Sequence, residues 1–209
     1  MAQAPQFESR NATLPEFWDE RFEAGFVPWD KGGVPVDVQQ YFGSLTALKE
    51  TQCLIPGCGN AYEAAWLASQ GWDVVAIDFS PQAVAQARLA HSEFADRIVL
   101  ADFFSFVPTR PLQCIYERAF FCALPPARRT AIVDRWATLL PVGGLLLGYF
   151  FIEDDAPDKV KRGGPPFVVG RLELTHLLSR YFECIEDRPV SDSIAVFENQ
   201  ERWQVWRKI

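Results

Sequence analysis

The stretch Leu54-Ile55-Pro56-Gly57-Cys58-Gly59-Asn60, followed by Asp78 at the end of the next apolar run, decides the fold of this chain. It predicts a buried strand, a tight turn and a helix, with a second strand ending at the acid. Gly57 and Gly59 let the backbone turn because neither has a side chain in the way. An acid about 20 residues after such a turn is placed to hydrogen-bond a ribose diol. The pattern predicts a nucleoside-cofactor site; an ordinary tight turn is the alternative.

The residue that follows the turn bears on which cofactor binds there. A dinucleotide site needs a third glycine, which lets the helix approach the strand closely. Tyr62 stands at that position, and its ring argues against NAD. S-adenosylmethionine has no phosphate, so its site can do without the third glycine. We therefore expect S-adenosylmethionine as the cofactor.

Strands and helices alternate along most of the chain, which predicts an α/β fold with a mostly parallel sheet. The last two strands are close in sequence, so we expect them to form an antiparallel hairpin. The expected architecture is Rossmann-like, with seven strands and helices on both faces. The predicted elements are strand 52–56, helix 61–70, strand 73–78, helix 81–95, strand 97–101, strand 113–117, helix 125–140, strand 144–151, helix 171–181 and strands 182–190 and 193–207.

Several motifs predict where these helices begin and end. Asn60 and Glu63 have the spacing of a capping box. Gly71 is a natural residue to end the same helix. Ser80 followed by Pro81 predicts an N-cap with proline in the first turn.

The N-terminal part is expected to be a helical cap, residues 1–50, on a core of residues 51–209, all within a single domain. Thr13 and Glu16 have capping-box spacing for a helix from Thr13 to Gly25. A second helix is predicted near Val36–Leu48.

Composition excludes several classes of partner. The chain has 209 residues, enough for one α/β domain, and a net charge of −7. It has no Lys/Arg block, so we expect no nucleic acid and no membrane as partner. Its start is polar and lacks a signal-peptide core, which makes the cytoplasm the expected compartment. The five cysteines form no C-x-x-C pair, so no metal and no disulfide are expected. We expect a monomer or a weak homo-oligomer.

Ligands of open parallel sheets bind beyond the carboxyl ends of the strands. Besides the glycine turn, that rule selects three pairs of residues: Asp78-Phe79, Asp102-Phe103 and Glu117-Arg118. Phe79 and Phe103 could sandwich an adenine whose amino group donates to Asp102. The alternatives are a helix cap for Asp102 and ordinary core positions for the two rings.

Aromatic residues near the N-terminus offer an enclosure for a methyl-sulfonium, because the face of a π-system attracts a cation and keeps water out. Trp18 and Trp29 are the candidates. Trp18 could instead be the apolar anchor of its helix. Trp29 lies in a predicted loop, where a structural role is less automatic.

The scarcity of catalytic bases bears on the methyl acceptor. The only histidines, His91 and His176, fall within predicted helices and away from the strand ends. An alcohol needs a positioned base, whereas a thiol with a pKa of about 8.5 ionises in part unaided. Halide has no proton to lose. The sequence therefore favours a soft nucleophile.

The chain resembles the thiopurine S-methyltransferase family and is most similar to its halide and thiol methyltransferase branch. The resemblance covers nearly the whole chain, from Phe17 to about Trp206, and consists of six segments in the family's order and spacing. They are Phe17-Trp18, Pro28-Trp29-Asp30-Lys31-Gly32, Ile55-Pro56-Gly57-Cys58-Gly59, Ile77-Asp78-Phe79-Ser80, Phe120-Phe121-Cys122-Ala123-Leu124 and Gly163-Gly164-Pro165-Pro166-Phe167.

The resemblance implies a role for each matching position. It implies that Trp18 and Trp29 close over the methyl group, and that Trp29 and Arg118 take part in catalysis. Cofactor contacts are implied at Trp18, Trp29, Gly57, Gly59, Asp78, Phe79, Asp102, Phe103 and Arg118. Substrate contacts are implied at Phe121, Pro165 and Pro166.

The function expected from these observations is S-adenosylmethionine-dependent methylation of the sulfur of a small thiol or dithiol, by direct in-line displacement. It would serve detoxification or the capping of a natural product. Halide or thiocyanate methylation is the nearest alternative. A non-catalytic S-adenosylhomocysteine-binding protein is the alternative of another class, and an NAD-dependent oxidoreductase is disfavoured by Tyr62.

Overall fold

One twisted sheet organises the computed structural model, which describes residues 5–45, 51–154, 163–190, 192–197 and 199–209. Its strands are β1 (Gln52–Pro56), β2 (Asp73–Asp78), β3 (Ile98–Leu100), β4 (Leu112–Arg118), β5 (Leu145–Glu153), β6 (Val169–Gly170), β7 (Phe182–Pro189) and β8 (Glu201–Lys208). Seven of them follow the order β3-β2-β1-β4-β5-β8-β7, and the two-residue β6 pairs with the far end of β5.

The predicted mixed sheet is confirmed. Strands β1 to β5 pair in parallel, whereas β8 runs antiparallel to both β5 and β7. The short β6 is an addition that the sequence did not predict, because two residues carry no periodicity.

The described residues form six α-helices: α1 (Pro15–Glu23), α2 (Val36–Ser44), α3 (Tyr62–Ser69), α4 (Pro81–Ala90), α5 (Arg129–Leu139) and α6 (Arg171–Leu178). The core divides by face, because successive strand side chains point to opposite sides. Leu54 packs on the face covered by α5 and α6. Its neighbours Cys53 and Ile55 pack on the face covered by α2, α3 and α4. Both faces are thus apolar and helix-covered.

Two of the predicted helix ends are confirmed. Ser80 Oγ accepts a hydrogen bond from Ala83 N at 3.1 Å, at the start of α4. Gly71 lies just past α3 with a φ of 84°, and the amides of Gly71 and Trp72 bond back to the carbonyls of Ala68 and Leu67. This is a Schellman motif, which only a residue tolerant of positive φ completes at low cost.

Both predicted capping boxes are wrong. Helix α1 begins at Pro15 without a side-chain cap, and the Thr13 hydroxyl bonds Asn11 instead. Helix α3 follows Ala61, which has a φ of 55°, and it too has no side-chain cap. The side chain of Asn60 donates to Asp30 instead. In both places the side chain that the local spacing assigned to a helix cap bonds another residue instead: Thr13 bonds Asn11, and Asn60 bonds Asp30.

Several predicted boundaries shift. Helix α4 ends at Ala90, and a 3₁₀ turn over Ser92–Arg97 completes the stretch predicted as helix. The helix predicted over 36–48 ends at Ser44, and residues 46–50 lie outside the described residues, as do residues 155–162 of the predicted long loop.

The N-terminal helix is fastened to the core by its own polar residues. Asp19 on α1 accepts hydrogen bonds from Ser80 Oγ at 2.5 Å and from Gln82 N at 3.1 Å. Gln86 Nε2 donates to the carbonyl of Phe22 at 3.0 Å. Helix α1 therefore lies against the start of α4, beside the carboxyl end of β2.

Within the described ranges, none of the helices has the length and apolar character needed to cross a membrane. All five cysteines are free thiols. No group of three or more metal-ligating side chains occurs among these residues.

Candidate cofactor and substrate site

A cavity of about 650 Å³ opens at the carboxyl ends of β1 to β4, between the sheet and the N-terminal segment. All the predicted site residues except Phe121 line it. They are Trp18, Trp29, Gly57, Gly59, Asp78, Phe79, Asp102, Phe103, Arg118, Pro165 and Pro166.

Phe121, a predicted substrate contact, does not line the cavity. Its ring stacks on Trp136 at 5.4 Å in the core beneath the sheet, and its side chain is 2% exposed. The neighbouring Phe120 lines the cavity in its place. Sequence could not separate the two because they are adjacent in a turn, where facing depends on the backbone; Ala119, just before them, has a φ of 58°.

The glycine turn lets an aromatic ring lie directly on the backbone. Gly57 has a φ of 59°, and a Cβ at this position would come within 2.8 Å of Phe120 Cδ2. Phe120 in turn packs against Phe103 at a ring distance of 4.9 Å. The turn therefore needs glycine both for its conformation and for the close approach of Phe120.

Asp78 is held rigidly at the end of β2. One carboxylate oxygen accepts from Ser80 N and the other from Gly59 N, both at 3.0 Å. Its side chain is buried, and burial raises the pKa of Asp78 while the Ser80 and Gly59 amides oppose that rise. The carboxylate keeps further lone pairs and lies on the cavity wall, where a ligand diol could reach it.

Asp102 caps a turn and also lies on the cavity wall, so its predicted contact with adenine stays a prediction. Its Oδ1 accepts from Phe104 N at 2.9 Å and so caps the turn after β3. The side chain is otherwise exposed on the cavity wall. Phe103 is buried beside it, and the half-buried Phe79 lies across the same cavity next to Trp18 and Trp29.

Aromatic rings of the N-terminal segment form the opposite wall. Trp18 and Trp29 meet edge to face at a centroid distance of 5.3 Å, and Phe22 meets Trp29 at 6.1 Å. The Trp18 indole donates to the carbonyl of Ala12 at 2.9 Å, which fixes its plane. Trp18 is therefore both an anchor of α1 and a wall of the cavity.

Arg118 lies at the end of β4 between two carboxylates. Its Nη1 is 3.9 Å from Glu63 Oε1 and its Nε is 3.7 Å from Glu201 Oε1, and its guanidinium lies 5.0 Å from the centre of the Tyr149 ring. The side chain is 9% exposed, and its buried Nε has no hydrogen-bond partner among the described residues.

Glu117, next to Arg118, faces away from the cavity into the core. The side chain is fully buried, and its Oε1 accepts from Phe121 N at 2.9 Å. Burial raises the pKa of Glu117 to about 8, although the Phe121 and Phe120 amides oppose the rise. With this raised pKa, Glu117 is mostly protonated at neutral pH, and it holds the turn that follows Arg118.

Sequence reasoning missed two acids of the cavity wall, Asp30 and Glu63. Asp30 accepts from Gly32 N at 2.6 Å and from the Asn60 amide. Glu63 is the second residue of α3 and accepts from the Tyr116 hydroxyl at 3.2 Å. The signal for Glu63 was present, since it follows the glycine turn, but its spacing from Asn60 also fits a helix cap.

The cavity thiols Cys58 and Cys122 are disfavoured as nucleophiles. Burial and the Asp78 carboxylate raise the pKa of the Cys58 thiol well above its ordinary value. Burial and Glu117 do the same to the pKa of Cys122. Because a thiolate, not a thiol, attacks carbon, both side chains serve as space-filling groups.

The residues present fit S-adenosylmethionine. Acids end β2 and β3, aromatic rings face them, and Arg118 retains an unpaired buried donor. The cavity also lies within the range of roughly 300–1,000 Å³ that small-molecule sites occupy. Fold and cavity together define a Rossmann-like methyltransferase.

The comparisons with known proteins identify the family. A model of the thiopurine S-methyltransferase family matches residues 13–209. Probable thiol methyltransferase 2 of Arabidopsis thaliana is 30% identical over 196 residues, covering 91% of this chain and 84% of that protein. Thiocyanate methyltransferase 1 of the same plant is 28% identical over 203 residues, covering 92% and 84%.

A solved structure supports the fold. The 1,6-didemethyltoxoflavin-N1-methyltransferase of Burkholderia thailandensis, crystallised with S-adenosylhomocysteine, has a TM-score of 0.69 at 16% identity, over 99% of this chain and 93% of that one. The chain belongs to the thiopurine S-methyltransferase family and is an S-adenosylmethionine-dependent S-methyltransferase.

Proposed function

We propose that this chain transfers a methyl group from S-adenosylmethionine to the sulfur of a small thiol. The observation that carries the proposal is the single cavity that joins the strand-end acids to the aromatic N-terminal wall. When bound, S-adenosylmethionine supplies an electrophilic methyl carbon that an in-line nucleophile can take without a covalent enzyme intermediate.

Each wall of the cavity has a separate binding task. Asp78 holds the ribose hydroxyls, because its carboxylate is fixed by two backbone amides and still faces the cavity. Asp102 and Phe103, with Phe79 across the cavity, hold the adenine. These contacts position the nucleoside along the edge of the sheet.

Trp18 and Trp29 enclose the reacting centre. Their rings lie at right angles, which gives a corner of two apolar surfaces and excludes water from a cationic sulfur. Pro165 and Pro166, on the loop before β6, line the cavity from the substrate side. In this arrangement Trp29 acts by enclosure and not by proton transfer.

The acceptor must ionise without help from the protein. Among the described residues that line the cavity there is no histidine, and the four acids there all accept hydrogen bonds from the protein itself: Asp30, Glu63, Asp78 and Asp102. A thiol with a pKa of about 8.5 needs no base near neutral pH, whereas an alcohol does. The cavity therefore suits sulfur.

Arg118 does not serve the acceptor. The family resemblance implies both a part in catalysis and a cofactor contact for Arg118. Two carboxylates stand within 4 Å of the guanidinium. Their charges cancel its positive field, so we assign Arg118 to the cofactor end of the cavity.

The test is a panel of acceptors with S-adenosylmethionine held at saturation. We expect thiols to be methylated and alcohols of the same shape to be inert. The rate should rise with pH and level off near the pKa of each acceptor thiol, because the thiolate is the nucleophile.

Iodide is the internal control, since it has no proton to lose and its rate should not follow that rise. An alcohol or amine preferred over the matched thiol would overturn the proposal. Iodide or thiocyanate outpacing every thiol would replace it with halide or thiocyanate methylation, which the thiocyanate methyltransferase relative makes the second candidate.

A further inference from the structure

The loop that carries Pro165 and Pro166, residues 163–168, lies far from the proposed adenine contacts. It leads into β6, which pairs with Ile152 and Glu153 at the far end of β5. In the sheet order β3-β2-β1-β4-β5, four strand spacings of about 4.8 Å separate β5 from β3, a distance of roughly 19 Å. Asp102 follows β3, so the loop and the adenine contacts lie at opposite ends of the cavity.

Apolar contacts connect this loop to the side of the cavity where Trp29 lies. Val168, the last residue before β6, packs with Trp29 against a buried group that includes Cys122 and Phe197. The amide of Phe167 donates to the carbonyl of Cys122 at 2.7 Å. Trp29, Cys122 and Phe197 also line the cavity. The position of the loop therefore sets the width of the cavity beside Trp29.

One buried arginine fastens this loop to two helices. Arg129 is the first residue of α5 and is 4% exposed. Its Nη2 donates to the carbonyl of Val168 at 2.7 Å and to that of Phe167 at 3.3 Å. Its Nη1 donates to Oε2 of Glu173, on α6, at 2.8 Å. A guanidinium presents its N–H groups in one rigid plane, so a single side chain holds all three acceptors.

Arg129 has no direct contact with the space that a ligand would occupy. Its neighbour Arg128 lines the cavity, whereas Arg129 does not. Burying a charged group is unfavourable unless it is hydrogen-bonded, and two of the three acceptors of Arg129 are carbonyls of the loop. Any effect of Arg129 on a ligand must therefore pass through the loop.

We infer that Arg129 is a positioning residue for the methyl acceptor. It holds the 163–168 loop against the cavity, so that Pro165 and Pro166 confine the acceptor beside Trp29. The inference rests on the proposed function, since it takes a methyl acceptor as the occupant of this end. Without these hydrogen bonds fewer molecules have the loop in place, and the apparent affinity for the acceptor falls in proportion. The nucleoside end does not share this dependence.

Substitutions at both ends of the guanidinium test the inference. Arg129→Met removes the bonds to the loop and to Glu173, and Glu173→Gln removes only the carboxylate. Arg135→Met is the matched control, because Arg135 lies on the same helix and donates to the carbonyl of Phe106, in the loop after β3. The acceptor is thiophenol, or methanethiol if thiophenol is not turned over. Steady-state kinetics give KM and kcat, and calorimetry gives the affinity for S-adenosylhomocysteine.

Arg129→Met should raise the KM of the thiol roughly tenfold or more, because the loop is in place in fewer molecules. The kcat at saturating thiol should stay within about threefold, since the reacting centre is unchanged. The affinity for S-adenosylhomocysteine should stay within about twofold, because the loop is remote from the nucleoside.

Two further variants separate the loop bonds from the charge. Arg129→Lys should give a KM between those of the native protein and Arg129→Met, because lysine keeps the charge but lacks the planar fork. Glu173→Gln and Arg135→Met should each change the KM of the thiol less than about threefold, since both leave the loop carbonyls bonded to Arg129.

An unchanged KM in a folded Arg129→Met protein would overturn the inference. A loss of kcat or of S-adenosylhomocysteine affinity as large as the change in KM would do the same, because it indicates a general disturbance of the fold. If neither Arg129 variant folds, the arginine holds the whole domain and the inference is also overturned. A native protein that binds no S-adenosylhomocysteine and methylates neither thiol would instead overturn the proposed function itself.

Discussion

Asp78 is a single residue that fixes the glycine turn and that we propose also binds the cofactor ribose. Its two carboxylate oxygens hold the amides of Gly59 and Ser80, so the glycine turn and the start of α4 are fixed to the end of β2. The same carboxylate faces the cavity. The residue is therefore rigid before any ligand arrives, which lowers the entropy lost on binding.

Asp78→Ala should weaken S-adenosylhomocysteine at least about tenfold, because a charge-assisted hydrogen bond contributes roughly 1.5–3 kcal/mol. Asp73→Ala is the control. Asp73 lies at the other end of the same strand, away from the cavity, and pairs with Arg97 and Arg110. Calorimetry measures both. Equal affinity in Asp78→Ala and the native protein would refute the ribose assignment.

Glu117 should make stability depend on pH. Its folded pKa is about 8, raised by burial, against about 4.3 for an unfolded glutamate. Below about pH 4.3 Glu117 is protonated in both the folded and the unfolded protein, and its contribution to the free energy of unfolding is at its maximum. As pH rises toward 8 the unfolded chain releases the proton and the folded chain keeps it, so stability falls by at most about 1.4 kcal/mol per pH unit.

Glu117→Gln should remove that slope, because glutamine does not titrate. Thermal melts from pH 5 to pH 8 check this. The measured quantity is the slope of stability against pH, because the glutamine amide brings extra donors to a buried site and so changes the absolute stability. Glu183→Gln, at an exposed position on β7, is the control and should keep the native slope. Parallel curves for Glu117→Gln and the native protein would contradict the prediction.

At the residue scale, sequence reasoning succeeded where a functional side chain follows an apolar run. Asp78 ends β2, Arg118 ends β4 and Asp102 lies just after β3, and the geometry of parallel sheets then brings them to one edge of the cavity. Sequence reasoning failed where the direction of a side chain depends on one backbone φ angle, or where one residue fits two local motifs. Phe121 is the first case and Glu63 the second.

Among the elements, helix α1 both forms part of the cavity wall and is attached to the core by its own side chains. It contributes Trp18 to the cavity, and Phe22 packs against Trp29 on the following loop. Asp19 ties it to the start of α4. The sequence predicted a helix here, but it did not predict how the helix is attached, because the attachment depends on a hydrogen bond between Asp19 and Ser80, which are 61 positions apart.

Trp29→Ala should lower turnover roughly a hundredfold, because loss of enclosure misplaces the acceptor and admits water. Trp66→Ala is the matched control, a half-buried tryptophan on α3 that does not line the cavity. Both variants should lose less than the roughly 3–5 kcal/mol of a fully buried tryptophan. Steady-state kinetics and thermal melts separate the two effects.

A Trp29→Ala protein that unfolds would identify Trp29 as a core residue. A folded Trp29→Ala protein that keeps its turnover would refute the enclosure, and so would a Trp66→Ala protein that loses as much turnover at equal stability.

At the scale of the molecule, alternation of strands and helices predicted the sheet, and the short last connection predicted its hairpin. The alternation of strands and helices does not predict contacts between segments that are far apart in sequence. Lys31 pairs with Asp192 at 2.7 Å, which joins the loop beside Trp29 to the connection between β7 and β8. That contact between separated loops closes the aromatic wall, and no local pattern encodes it.

The placement of β8 inside the sheet has a consequence for how the chain can fail. β7 is joined to the sheet through β8, and β8 covers β5 from Leu145 to Phe151. Without β8, one edge of β5 would be bare along a run of leucine, tyrosine and phenylalanine that carries no charge before Glu153. Such edges template aggregation. Substitutions that loosen the hairpin should therefore reveal themselves first as insoluble protein, while the remaining soluble molecules keep their ligand affinity.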